Sequence, residues 1–249
     1  MAVANVVLEL DNLSSGYLDE PIVVDFSVSI SAGSITTIIG PNGAGKSTLL
    51  RAIYGLNRHF GGAVRFRGKA IEALAPAARL KLGIGFVPQG RCNFPLMTVH
   101  ENLELGAFTL VGATVASAIE RSYANFPMLA DKRKVLAGNL SGGEQQILET
   151  AMVLEAGPSL VLLDEPSLGL SPANQAQVFE TVAGLRGAGL TVLIVEQNAH
   201  GALQISDYGI VMELGRLFMT GAASEILNDP RIRTAYLGGD DEVAPQFPA

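Results

Sequence analysis

Ile35-Thr36-Thr37-Ile38-Ile39-Gly40-Pro41-Asn42-Gly43-Ala44-Gly45-Lys46-Ser47-Thr48-Leu49-Leu50 is the stretch on which the reading of this 249-residue chain turns. An apolar run of strand length enters a glycine-rich loop, and residues 46–56 beyond it have helical character. Strand, glycine loop and helix in that order predict a turn in which consecutive backbone N–H groups converge at the positive end of a helix. The spacing G-x-x-x-x-G-K-[ST] is that of loops that cradle phosphate oxygens. Gly40, Pro41, Asn42, Gly43, Ala44, Gly45, Lys46, Ser47 and Thr48 are therefore candidates for holding a nucleoside triphosphate such as ATP. Lys46 is expected to reach the β- and γ-phosphates as a point charge, and Ser47 to offer its hydroxyl to Mg²⁺. An ordinary glycine-rich turn between strand and helix is the plain alternative.

Outward from the loop, a second apolar run at residues 160–163 ends in two acids, Asp164 and Glu165. A buried strand with that ending puts Asp164 at the carboxyl edge of a sheet, where open α/β sheets bind ligands. Asp164 is then a candidate for the metal, directly or through water, and Glu165, pointing the other way along the pleat, for a general base. A third apolar run, residues 190–195, ends in Glu196-Gln197-Asn198. With helices expected after Ser141 and over residues 174–185, fully apolar strands alternate with helices, the pattern of a parallel sheet covered on both faces. The first third differs: Val6, Leu8 and Leu10 alternate with other residues, as do Val24, Phe26, Val28 and Ile30, and residues 63–66 form a further strand pattern. Residues 98–136 instead show helical spacing broken by Gly112 and Pro127.

Composition narrows the field. The net charge of −7, without a block of Lys and Arg, disfavours binding to nucleic-acid backbones. The single cysteine, Cys92, excludes an internal disulfide. The mean hydropathy of +0.32 is distributed over strand-sized runs, each far short of the ~20 residues a spanning helix requires. No secretory signal pattern follows Met1, so a soluble, cytoplasmic chain is expected. The tail at 240–249 is acidic, then proline-containing, and is expected to fray.

Phosphate loops serve kinases, GTPases and motors, and Leu140-Ser141-Gly142-Gly143-Glu144-Gln145-Gln146 discriminates among them. Ser141 and the two glycines open a helix whose apolar face includes Ile147, Ala151 and Leu154, and a helix start with bare glycine amides attracts anions. This run, ahead of the Asp164–Glu165 pair, resembles the signature motif of ABC transporter nucleotide-binding cassettes. The resemblance covers nearly the whole chain. It implies a P-loop α/β cassette with a RecA-like parallel-sheet core, an antiparallel β-subdomain and a helical subdomain at about 93–139, all one ATPase domain over residues 1–239.

The resemblance also implies roles. Leu140, Ser141, Gly142, Gly143 and Glu144 face the ATP of a partner cassette in a head-to-tail dimer. Tyr17 stacks on adenine, and Gln89 touches Mg²⁺ or the lytic water and joins the helical subdomain. Two positions depart from the family: Ser171 stands where an Asp usually closes the segment 167–171, and Gln197 stands where a switch histidine is usual. A Gln amide hydrogen-bonds a γ-phosphate but carries neither proton nor positive charge, so Glu165 is expected to act as base alone, assisted by Lys46 and Gln197. The segments 195–199, 165–172 and 235–238 are similar to the LivF-type ATPase of branched-chain amino-acid importers, and nearly as similar to urea or amide importers. The implied partners are a second ATPase subunit, two membrane permeases near Gln89, Phe94, Pro95 and Met97, and indirectly a periplasmic binding protein, at the cytoplasmic face of the inner membrane. Phe94 and Met97 serve equally well as core residues. A non-transport ABC ATPase is a more remote alternative, because the chain has no coiled-coil insertion and no second cassette.

Overall fold

The structure, a computed structural model, describes residues 5–236. β1 (Val6–Tyr17) and β2 (Glu20–Ser31) form a long antiparallel hairpin that turns Leu8, Leu10 and Leu13 inward against Val23, Phe26 and Ile30. β3 (Ile35–Ile39) then runs through the glycine loop into α1 (Lys46–Tyr54). β4 (Arg58–Phe66) returns to the outer side of β1, with the short β5 (Lys69–Ala70) at the edge, so this sheet has the order β2-β1-β4-β5. β4 is longer than the strand expected at 63–66. Residues 58–61 pair with Gly16, Ser15 and Ser14 of β1, a pairing hidden from the sequence by Gly61-Gly62, which interrupts the side-chain alternation.

α2 (Pro76–Leu82) and β6 (Ile84–Val87) follow. Three helices then fill the stretch read as helical: α3 (Val99–Gly106), α4 (Ala113–Asn125) and α5 (Pro127–Asp131). Gly112 and Pro127 stand at the starts of the second and third. α6 (Gly142–Leu154) leads back to β7 (Leu160–Asp164), α7 (Pro172–Gly187) and β8 (Thr191–Val195). α8 (Ala199–Gln204), β9 (Tyr208–Glu213), β10 (Arg216–Ala222), α9 (Ala223–Asn228) and α10 (Pro230–Tyr236) complete the described chain. The acidic tail at 240–249 lies outside the described residues.

The second sheet has the order β10-β9-β3-β8-β7-β6 and is parallel except for β10. Its central strands are buried at every residue, and the pleat divides them between two cores. Leu160, Leu162, Leu193 and Val195 meet α1 and the antiparallel sheet, while Val161, Leu163, Val192 and Ile194 meet α3, α6 and α7. Each such side chain contributes roughly 1.5–3 kcal/mol through burial, which is why aliphatic residues dominate these strands. α3 lies against α6 so closely that a Cβ on Gly106 would stand 2.5 Å from the Met152 carbonyl oxygen. The register sets the functional edge. β8 lies between β3 and β7, with Ile38 opposite Val195 and Asp164 opposite Val195. The segments that leave these three strands therefore open side by side at one end of the sheet.

Candidate active site

Gly40 leaves β3 at φ 153°, and a Cβ there would collide with the Met212 carbonyl oxygen, so the loop starts where only glycine fits. Gly43 and Gly45 adopt positive φ of 82° and 94°, and Gly45 caps α1 without any side-chain bond, leaving the first helical amides turned into the loop. Lys46 is 4% exposed, and its Nζ donates to the carbonyl oxygens of Gly40 (2.8 Å) and Pro41 (3.1 Å). Burial pulls its pKa below the ordinary value, opposed by the carboxylates of Glu165, Asp164 and Glu196. One lysine thus sits in the field of three acids.

Ser47 Oγ donates to Asp164 Oδ1 at 2.7 Å, which joins the loop to the end of β7. Asp164 Oδ2 is buried and has no hydrogen-bond partner among the described residues. Burial raises the Asp164 pKa, with the Ser47 hydrogen bond working against it. Glu165 differs from the expectation that it follows the pleat. β7 ends at Asp164, and Glu165 takes a left-handed backbone at φ 51°, held by its N–H donating to the Val195 carbonyl (2.9 Å). That turn, and not strand alternation, directs its side chain, whose Oε2 accepts from Gln89 Nε2 at 2.8 Å. Burial raises the Glu165 pKa while Lys46 lowers it, the setting of a carboxylate that accepts a proton readily.

A cleft of about 470 Å³ collects Ile22, Asn42, Gly43, Ala44, Gly45, Lys46, Ser47, Thr48, Gln89, Glu165, Leu168 and Gln197. The structure therefore brings together most of the loop residues, the proposed base, Gln89 and the exposed Gln197. Tyr17 does not line this cleft. It stands 40% exposed at the end of β1, its hydroxyl accepting from Arg51 Nη1 of α1 at 3.0 Å.

The serine–glycine corner occupies different ground. Ser141 caps α6 in a reciprocal box: its Oγ accepts from the Glu144 N–H (3.4 Å) and the Glu144 carboxylate accepts from the Ser141 N–H (2.9 Å). Glu144 also pairs with Lys132, and Leu140 is buried, so these two side chains serve local structure. Gly142 and Gly143 begin the helix, and Cβ atoms on them would press on Leu170 and Asn174. Gly142 lines a second cavity, of about 460 Å³, with Gln89, Glu165 and residues 168–170.

Glu196 is a further acid beside Lys46 that the sequence reading does not single out. It is 1% exposed, and it accepts from the Ser167 N–H (2.9 Å), Ser167 Oγ (2.8 Å) and the Gln197 N–H (3.2 Å). Burial pushes its pKa up to about 7. Its signal was the one used for Asp164, an acid closing an apolar strand.

A family model described as ABC transporter matches residues 23–168, more than half of the chain. The high-affinity branched-chain amino acid transport ATP-binding protein BraG of Pseudomonas aeruginosa is 40% identical over 233 residues, 94% of this chain and 100% of that one. The probable branched-chain amino acid transport ATP-binding protein LivF of Archaeoglobus fulgidus is 39% identical over 93% of this chain and 99% of that one. An ATP-binding cassette of an ABC transporter, solved in its ADP conformation, superposes with a TM-score of 0.80 at 29% identity, covering 94% of this chain and 99% of that one.

Proposed function

The chain belongs to the ATP-binding cassettes of the ABC transporter family, and from that premise we propose that it is the ATP-hydrolysing subunit of an importer for branched-chain amino acids. The observation that carries the ATPase chemistry is the convergence of the Lys46 loop, Ser47–Asp164, Gln89–Glu165 and Gln197 beyond the ends of four adjacent strands, β3, β8, β7 and β6. The cargo rests on the two branched-chain amino acid transport relatives, each matched over nearly its whole length. The reading treats residues 1–239 as one ATPase domain, with residues 93–139 as its helical subdomain.

Triphosphate oxygens accept from the loop amides and from Lys46, which exchanges its bonds to Gly40 and Pro41 for the β- and γ-phosphates. Tyr17 stacks on the adenine from the rim. A water attacks the γ-phosphorus in line, its proton passes to Glu165, and the bond to the β-bridging oxygen breaks to release ADP and phosphate. Gln89 aims the Glu165 carboxylate, and the Gln197 amide donates to a γ-phosphate oxygen in place of an imidazole. The donor set suits Mg²⁺: the Ser47 hydroxyl, the Gln89 amide oxygen and Asp164 Oδ2, which has no hydrogen-bond partner among the described residues, would hold the ion as hard oxygen ligands. When bound, the ion supplies charge neutralisation between the β- and γ-phosphates.

The Ser141, Gly142 and Gly143 corner contacts the ATP held by a second cassette, so two head-to-tail subunits enclose two nucleotides. Among the described residues no helix is long and apolar enough to cross a membrane, which fits a subunit docked on two permeases at the cytoplasmic face and fed indirectly by a binding protein. Phe94, 48% exposed, and Leu96, 88% exposed, beside the half-buried Met97, offer the permeases an apolar footing close to Gln89. The test is uptake of labelled leucine by cells that lack this chain. Restoration by the parent and not by Glu165→Gln is expected. Leucine uptake unaffected by loss of the chain, or urea uptake restored in its place, overturns the cargo.

A further inference from the structure

Glu149 lies on α6 between the apolar positions Leu148 and Ala151 and is itself 3% exposed. A side chain turned into the core at this depth is ordinarily apolar, because a buried carboxylate must recover its lost hydration through hydrogen bonds. Its Oε1 finds three: the N–H of Cys92 (2.9 Å), the N–H of Asn93 (3.2 Å) and Asn93 Nδ2 (2.6 Å). Asn93 Nδ2 also approaches Gln145 Oε1 (3.5 Å), and Gln145 Nε2 donates to the Leu140 carbonyl (2.9 Å). These bonds form a polar path from the start of α6 to the strand-to-helix segment three residues beyond Gln89.

The path leaves the buried carboxylate incompletely satisfied. Burial raises the Glu149 pKa against the bonds it receives, and its Oε2 has no partner among the described residues. What the bonds secure is the course of the backbone leaving Gln89, which turns at Gly90 with φ 97°. Gln89 in turn donates to Glu165, and Gln89, Glu149 and Glu165 line one cavity.

Resting on the ATPase reading above, we propose that Glu149 is a positioning residue for hydrolysis: by gripping the backbone of Cys92 and Asn93 it holds the Gln89 segment to α6, and Gln89 thereby keeps the Glu165 carboxylate aimed at the attacking water. The same helix begins with the Ser141–Gly142–Gly143 corner, so a shift of that corner is passed to Gln89 as a rigid movement and does not dissipate in the loop.

Steady-state ATP hydrolysis, affinity for a fluorescent ATP analogue and amide hydrogen exchange on the full-length chain test this. Glu149→Ala lowers kcat about tenfold while KM and analogue affinity stay within about twofold, because misplacement of a supporting group acts on the reacting geometry and not on nucleotide binding. Exchange at residues 90–94 accelerates while that of α6 amides does not. Glu149→Gln, which keeps a carbonyl oxygen for the Cys92 and Asn93 donors, restores kcat to within about threefold of the parent. If Glu149→Ala does not fold, Asn93→Ala, which removes only the side-chain donor, gives the kcat loss at about threefold with unchanged KM. Parental kcat in Glu149→Ala or in Asn93→Ala overturns the proposal, as does a Gln variant as slow as the Ala variant with α6 exchange raised. A parent chain that turns over no ATP would instead strike the ATPase reading itself.

Discussion

Glu196 directly follows β8 and is almost wholly buried, and its titration reports on the site. Its ordinary pKa is 4.5 and burial raises it to about 7 in the fold, so folding takes up a proton between those values. The stability this contributes is fully present below about pH 4.5 and is lost as pH rises through about 7. Glu196→Gln removes that loss. The difference in Tm, variant minus parent, is therefore expected to grow between pH 5 and pH 7.5, and a difference that stays constant contradicts a raised carboxyl pKa. Next to it, Gln197 faces the cleft with a side chain that cannot be protonated, so its contribution is positional. Gln197→Ala is expected to reduce ATP turnover about tenfold with little change in ATP affinity, as loss of one donor to developing charge does. Turnover equal to the parent refutes the role.

At the scale of elements, α1 is anchored at both ends, and the two anchors differ in how well the sequence announces them. Its start is legible from the loop spacing alone. Its end is held by Arg79 of α2, which is 2% exposed and donates to the carbonyls of Ala52 (2.9 Å), Ile53 (2.6 Å), Leu74 (3.0 Å) and Glu72 (3.0 Å). A cation at the C-terminal carbonyls complements the helix dipole. α2 escaped the sequence reading because its one buried residue is this arginine, and hydrophobic periodicity is blind to a charged residue in the core. Arg79→Met is expected to cost about 3 kcal/mol in a urea titration, since four carbonyls lose a charged donor. A change below about 1 kcal/mol contradicts the anchoring. The buried strands β3, β7 and β8 were legible for the opposite reason: every residue is buried, so each reads as a short, mostly aliphatic run with no charged residue before its end. The direction of Glu165 was not, because it depends on a left-handed turn at a non-glycine residue. Nor was the grip of Glu149 on Cys92 and Asn93, which joins residues far apart in the chain.

For the whole molecule, the decisive arrangement is that the lysine loop and the serine–glycine corner line two different cavities of one chain, which share Gln89 and Glu165. In the proposed head-to-tail pair a nucleotide held by the loop of one subunit meets the corner of the other, and ATP binding is expected to strengthen the association because only the closed pair would contact the triphosphate from both sides. The mass of the full-length Glu165→Gln chain in solution, measured by light scattering with and without ATP and Mg²⁺, alone and mixed with a companion cassette of the same transporter, tests this most directly. The account predicts a doubling of mass that requires ATP, retains two nucleotides and disappears when Ser141→Arg is added, although each chain still binds one ATP. A chain that remains single in saturating ATP under both conditions, or a doubling indifferent to Ser141→Arg, would contradict it.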